Sequence, residues 1–469
     1  MKVSLDLVGI QSGSIEAPAG CGKTTSIANL VSASNAKKPI LILTHTNAGV
    51  MALQEKLRER GVAASRYKLA TLDGWSRRLV SFFPLRSGCP PAMTAADNPN
   101  VDYGAIRKAA LGLLVSGHVD RVIANTYSSA LIDEYQDCDM LQHKLCANLK
   151  RLMPVSIFGD ELQRIFGWDS EMPLWADVLS EFPVIHRLST PHRWYNEGAH
   201  LFGDWLLGIR SPLENGQPID LRQAQNGVIW RQVSEDNPDD VKLRSIRYAD
   251  KISSNGVLVI CDEKRKSRLG DIAKRVFGAS VVEAAELPTA RTLANNLEPL
   301  TKDALPHLIN FAATCATGVR QKDMTRRVAT LLDGRSRKPA TELEATFAQF
   351  ARQPSVSTVR AIFSALASAK KIQVIRWESY RAVEMAIRRA PEGCDLKDRI
   401  LKSCEQRRLL GRSIRGTMVG STLLLKGLQA EVVVIADTEN LSRENLYVAL
   451  TRGSKKVIIC SRSPVLSPS

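Results

Sequence analysis

Short apolar runs closed by polar residues recur along this chain and alternate with stretches whose apolar positions fall at helical spacing. In the first half the runs are PILILT (39–44), SSALIDE (128–134) and PVSIFGD (154–160). In the second they are GVLVICD (256–262), AEVVVIAD (430–437) and KKVIIC (455–460). Runs that are apolar throughout, instead of alternating, suit strands buried on both faces of a parallel sheet, with polar groups emerging at their C-terminal ends. The pattern predicts an α/β protein with two such domains. No repeat or low-complexity tract interrupts it. Between the two sets, 291–411 is mostly helical in pattern, and a shorter insert near 77–126 carries the Pro/Gly-rich FFPLRSGCPPAM. The expected division is 1–76 and 128–190 for the first α/β domain, with 77–127 as a small helical insert. The second comprises 191–290 and 412–469, with 291–411 inserted.

Composition narrows the class. The chain has 469 residues, 44% hydrophobic and 24% charged, enough for several packed domains and unlike a disordered or fibrous protein. There is no run of eighteen apolar residues and no charged segment followed by an apolar core at the N-terminus. Neither a membrane span nor a secretion signal is indicated, and a cytoplasmic location is expected. Nine cysteines are scattered without a C-x-x-C pair, which argues against zinc, an iron–sulfur cluster or a disulfide framework. The net charge of +16 is concentrated: 291–411 holds 22 Lys and Arg against 12 Asp and Glu, or +10. Such a basic segment favours a polyanionic partner, nucleic acid first.

The stretch EAPAGCGKTT (16–25) carries the first candidate chemistry. A strand over 14–17 and a helix over 24–34 would bracket a glycine turn. Backbone N–H groups at the helix start then converge on one small volume, suited to phosphate. Ala19, Gly20, Cys21, Gly22, Lys23, Thr24 and Thr25 form this cradle, with Lys23 reaching phosphate oxygens and the Thr24 hydroxyl on Mg²⁺. Ala17 stands where the first glycine of the pattern is usual. LIDEYQD places Asp133 and Glu134 just past a strand, where the first acid holds the metal shell and the second orients and deprotonates water. GDELQRIFGWD then supplies Gln163 near the γ-phosphate, followed by Phe166 and Trp168. Those aromatics read either as core or as a coupling element beside a phosphate sensor.

In order along the chain, APAGCGKTT, LTHTNAGVMALQEKL, TLDGW, LIDEYQD, FGDELQRIFGWD, LSTPHRW, STLLLKGLQAEVVV and LYVALTRGSKKVII resemble motifs I to VI of superfamily 1 helicases of the UvrD/Rep type. The resemblance covers both α/β domains and leaves the inserts without motif support. It implies two RecA-like P-loop domains with inserted helical subdomains (1A and 2A, 1B-like and 2B-like), ATP and Mg²⁺ as cofactors, and single-stranded DNA and duplex junctions as partners. By the same resemblance Lys23 and Thr24 bind phosphate and Mg²⁺, Asp133 holds the metal, Glu134 is the catalytic base and Gln163 the γ-phosphate sensor. Arg193 and Arg452 match the two arginines aimed at the γ-phosphate. Thr46, Asn47, Thr71, Phe166, Trp168 and Lys426 fall where the family touches the strand, and the motor is expected to run 3′ to 5′.

Several positions depart from the family. His45 replaces a usual Phe, Leu423 a usual His and Gln429 the ribose-contacting Glu; Gln11, the candidate adenine reader, lies unusually close to the loop, and His192 stands in the place of the adenine-stacking aromatic. These departures fall on strand, sugar and base contacts and spare the catalytic groups. The layout, with short inserts and an end at Ser469 soon after motif VI, is similar to the compact helicase subunit of Gabija-type anti-phage systems, found beside OLD-type nucleases. Any cleavage is then expected from a separately encoded nuclease, and DNA repair or antiviral defence is the expected setting. The competing expectations are a DNA-stimulated ATPase subunit that does not unwind and a regulatory P-loop NTPase switch acting on a nuclease partner.

Overall fold

The computed structural model of the chain describes residues 10–95, 101–166, 171–224, 226–262, 267–409 and 416–468. These fall into two compact units. One comprises Met1–Ile229, Asn440–Lys456 and Ser463–Ser469; the other comprises Trp230–Glu439 and Val457–Arg462.

The first unit is built on six parallel strands: β1 (Gly13–Glu16), β2 (Ile40–Thr44), β3 (Tyr67–Thr71), β4 (Ala130–Ile132), β5 (Val155–Gly159) and β6 (Val184–Arg187), in the order β3-β2-β4-β5-β1-β6. Strand periodicity sends alternate side chains to opposite faces. Ile40 and Ile42 of β2, Leu131 of β4 and Phe158 of β5 meet the helices Lys23–Ala33 and Asn47–Glu59. Leu41, Leu43, Ala130, Ile132, Val155 and Ile157 face the other way, against the helices Leu72–Phe82, Tyr103–Val115 and Met140–Lys150. Both faces are covered, which is why these strands read as unbroken apolar runs. Ile106, Leu113, Leu114 and Ile123, from the insert expected at 77–127, are buried in that second face. Because the strands are parallel, the loops after β1, β4 and β5 leave from the same edge of the sheet, and these carry Lys23, Asp133 and Gln163. A small antiparallel ribbon joins β7 (Ile219–Asp220) to β14 (Val465–Leu466).

The second sheet holds β8 (Val228–Gln232), β9 (Val257–Ile260), β10 (Ser280–Val281), β11 (Thr417–Gly420), β12 (Ala430–Ile435) and β13 (Gly453–Ser461), in the order β10-β11-β9-β12-β13-β8. Its β10, β11, β9 and β12 pair in parallel. Between β10 and β11 run helices from Pro288–Asn295 to Leu396–Leu409. They enclose a core of their own, including Leu308, Phe311, Phe347, Phe350, Ile362, Phe363, Val383 and Ile400. Capping boxes start two of them, Thr341 with Glu344 and Ser355 with Thr358.

Residues 191–229 and 440–456, grouped with the second domain in the sequence division, belong to the first unit. The cause is packing that no local pattern announces. Trp194, Phe202 and Leu206 are buried, and the Trp194 ring closes on Gly20 of the glycine turn.

Candidate nucleotide site

The turn after β1 takes its shape from two glycines, Gly20 with φ 71° and Gly22 with φ 81°, a region that favours glycine. Gly20 is required twice over, because a Cβ there would run into the Trp194 ring. Gly22 is the N-cap of the helix Lys23–Ala33 and supplies no side-chain cap, so the first-turn amides keep their capacity for an anion. Lys23 opens that helix. Its Nζ lies 2.6 Å from Glu134 Oε2 and 3.7 Å from Asp133 Oδ1. Burial alone would lower the lysine's pKa, but the two carboxylates together raise it above the usual value.

Asp133 and Glu134 follow β4 directly. Burial pushes the Asp133 carboxyl up to about 6 against the pull of Lys23, so it is a carboxylate short of positive charge. Glu134 sits at φ 55°, a costly conformation for a non-glycine residue that is fixed by its surroundings. Gln136 Nε2 donates to Glu134 Oε2 at 2.5 Å, and Gln136 Oε1 accepts from the Asp160 amide at 3.3 Å. The turn after β5 is held in the same way: Gln163 Nε2 donates to Asp160 Oδ2 at 2.8 Å, and Gln163 is buried.

Two arginines complete the set. The Arg193 amide donates to the Gly20 carbonyl at 3.1 Å, and its Nη1 donates to the Thr451 carbonyl at 2.7 Å. Trp194 Nε1 donates to the Gly453 carbonyl at 2.8 Å. Arg452 is buried, its Nε donating to the Val448 carbonyl at 3.0 Å. Burial lowers the pKa of both guanidinium groups; Arg452, with the like charge of Arg193 as the next cause, falls to about 9. Both feel the charge of Glu134. The structure thus gathers Lys23, Asp133, Glu134, Gln163, Arg193 and Arg452 in one unit, although the last two lie far from the glycine turn in sequence.

Other expected residues are placed more loosely. Thr46 and Thr71 are exposed or half-buried N-caps, accepting from Gly49 and Gly74 at 3.0 and 2.9 Å, at the ends of neighbouring strands β2 and β3; Asn47 begins the helix after Thr46. His45 Nε2 lies 3.3 Å from Cys138 Sγ, so His45 connects the end of β2 to the segment after Glu134. Phe166 is 43% exposed, which removes it from the core. Trp168 lies outside the described residues. Gln11 and His192 are exposed, His192 next to Gly22. Lys426 and Gln429 belong to the second unit, half-buried and exposed respectively.

The donor set fits Mg²⁺. Asp133 and the Thr24 hydroxyl would offer hard oxygen donors of the kind Mg²⁺ takes, which is usually held by one or two carboxylates plus substrate phosphates. No group of three or more His, Cys, Asp or Glu that could hold a metal occurs among the described residues. All nine cysteines are free, and eight are buried. No described helix is long and apolar enough to cross a membrane.

A glycine turn at a helix start, its lysine and the paired strand-end acids make this a P-loop nucleotide-binding domain of the NTPase class. Residues 9–168 match the family model described as AAA domain, a P-loop domain found in UvrD/Rep-like helicases. No curated protein matches the chain.

Sequence reasoning passed over Asp160, Gln136, Arg210 and Tyr447. Asp160 was in reach, as the last polar residue of the apolar run 154–160. Arg210 has no motif around it and meets its partners Asp160 and Tyr447 from 50 and 237 residues away.

Proposed function

We propose that the protein is an ATP-dependent DNA translocase or helicase that moves 3′ to 5′ on a single strand. The observation that carries the hydrolytic part is the Lys23–Glu134 pair at 2.6 Å at the end of the glycine turn, with the half-buried Arg193 bonded to the Gly20 carbonyl and the buried Arg452 feeling the charge of the same acid. Two cations with depressed pKa values beside a helix N-terminus suit a polyanion whose charge grows in the transition state.

Lys23 and the first-turn amides bind the β and γ phosphates. Glu134 orients the attacking water and takes its proton, while Gln163 contacts the γ-phosphate. Arg193 and Arg452 spread the charge that develops on the transferred phosphoryl group. Mg²⁺, held by Asp133 and Thr24, supplies neutralisation of the phosphate oxygens when bound. The Lys23–Glu134 pair implies an order of events: a triphosphate competes for Lys23, and Glu134 is then released for the water. By the motif resemblance, Thr46, Asn47, Thr71, Phe166, Trp168 and Lys426 are candidate strand contacts, and Gln11 and Gln429 candidate nucleoside contacts. The DNA assignment, the polarity, a separate nuclease partner and a role in repair or anti-phage defence rest on the motif resemblance.

The test is ATP turnover with and without single-stranded DNA, together with unwinding of 3′- and 5′-tailed duplexes. Strong stimulation and 3′-tailed unwinding are expected. Stimulation without unwinding would leave a DNA-dependent ATPase subunit, indifference to DNA would leave a regulatory switch, and unwinding of 5′-tailed duplexes alone would reverse the polarity.

A further inference from the structure

Beneath the glycine turn, one guanidinium joins three elements of the first unit. Arg210 Nη1 and Nη2 lie 3.0 and 2.9 Å from Asp160 Oδ2 and Oδ1, a two-point contact with a fully buried carboxylate. The same Asp160 Oδ2 accepts from Gln163 Nε2 at 2.8 Å, and Asp160 Oδ1 from the Leu162 amide at 3.3 Å. Arg210 Nη1 also donates to Tyr447 Oη at 2.9 Å. Tyr447 is buried on the helix Arg443–Leu450, its carbonyl accepts from the Thr451 amide at 3.0 Å, and Arg452 comes next. Arg210 Nη2 reaches Glu16 Oε1, at the end of β1, at 3.4 Å, and Glu214 Oε1 at 3.2 Å.

We propose that Arg210 is a positioning residue that sets the register between the Gln163 turn and the helix bearing Arg452. This rests on the hydrolytic reading above. A buried aspartate without its partner is strongly unfavourable, so Asp160 keeps Arg210 in place. The planar fork then has donors left over for the Tyr447 hydroxyl, a geometry that lysine, with a single charged centre, cannot reproduce. Moving either Gln163 or Arg452 by a fraction of an ångström would misalign groups that act on the same phosphoryl transfer. Arg210 itself contacts no phosphate in this role; it acts through Asp160 and Tyr447.

The experiment measures kcat and KM for ATP and Tm in the full chain for wild type, Arg210→Lys, Tyr447→Phe, Gln163→Ala and the Tyr447→Phe/Gln163→Ala double variant. Tyr447→Phe deletes only the hydroxyl link. It should lower kcat by about tenfold with KM for ATP within about twofold, as expected for an interaction expressed in the transition state. In the Gln163→Ala background the same change should cost less than about twofold, because groups acting as one unit are non-additive. Arg210→Lys should lower kcat further with KM again little changed. Losses that multiply in the double variant, or a fall in Tm with kcat untouched, would overturn the proposal. Should Arg210→Lys fail to fold, the Tyr447 cycle decides alone. A wild type active and dependent on Lys23 but indifferent to Tyr447→Phe rejects this inference and leaves the hydrolytic reading standing; a wild type without turnover rejects both.

Discussion

Lys23 Nζ stands 2.6 Å from Glu134 Oε2, so the side chain suited to phosphate and the one suited to water are paired with each other. Substitution of each partner tests the two roles apart. Lys23→Ala should lose both ATP affinity and turnover. Glu134→Gln should lower turnover by about 10²–10⁴, the usual contribution of a positioned general base, while still binding ATP. Equilibrium binding of a fluorescent ATP analogue beside steady-state turnover checks both, and near-normal turnover in Glu134→Gln would remove it from the role of base.

Arg452 predicts an unusual pH dependence of stability. Its folded pKa, near 9, lies below the ordinary arginine value, so between those values the unfolded chain binds the proton more tightly. Keeping the buried group charged therefore costs stability below about pH 9, and the cost fades as pH rises through that value. Arg452→Gln should melt at or above the wild-type temperature at pH 7.5, and the gap should narrow toward pH 10. Turnover in that variant should drop by about 10³–10⁵. A wild type more stable by a margin constant in pH would count against the argument.

Basic residues of the inserted helices differ in what they have left to offer a phosphate. Arg407 Nε is engaged with Glu378 at 2.8 Å, whereas Lys322 and Arg326 are exposed on the helix Gln321–Leu332. Reversing Lys322 and Arg326 to Glu should flatten the log–log salt dependence of strand binding by about 0.7 for each phosphate no longer neutralised. An unchanged slope in salt titrations would assign this surface to a protein partner.

Base selectivity should be low. Gln11 is exposed, its carbonyl accepting from Ser156 Oγ at 2.6 Å, and His192 is exposed beside Gly22. A site rejects a wrong base strongly only when buried polar groups would be left unpaired. We expect kcat/KM for GTP within about tenfold of that for ATP. Discrimination of about a thousandfold, abolished by Gln11→Ala, would establish Gln11 as an adenine reader.

What the sequence disclosed and what it hid divide along contact range. The runs 39–44, 128–134 and 154–160 became β2, β4 and β5, because apolar runs and their polar ends are local signals. Asp133, Glu134 and Lys23 were legible for the same reason. Strand order was not: β1 lies between β5 and β6, a pairing fixed by register across more than a hundred residues. Nor was the placement of Trp194 against Gly20, or of Arg210 against Asp160 and Tyr447. The charge excess of 291–411 was countable, but that Arg407 spends its charge on Glu378 required the fold.

The first unit joins segments that lie far apart in the chain, and this sets a timetable during synthesis. The glycine turn, Glu134 and Gln163 leave the ribosome well before Tyr447 and Arg452, which belong to Asn440–Lys456. At about 5–20 residues per second, roughly 15 to 60 seconds separate Gln163 from the helix that carries Tyr447. For that interval Asp160 and Arg210 have no Tyr447 to meet. A nascent chain that has not yet reached Asn440–Lys456 thus presents the phosphate cradle without Arg452.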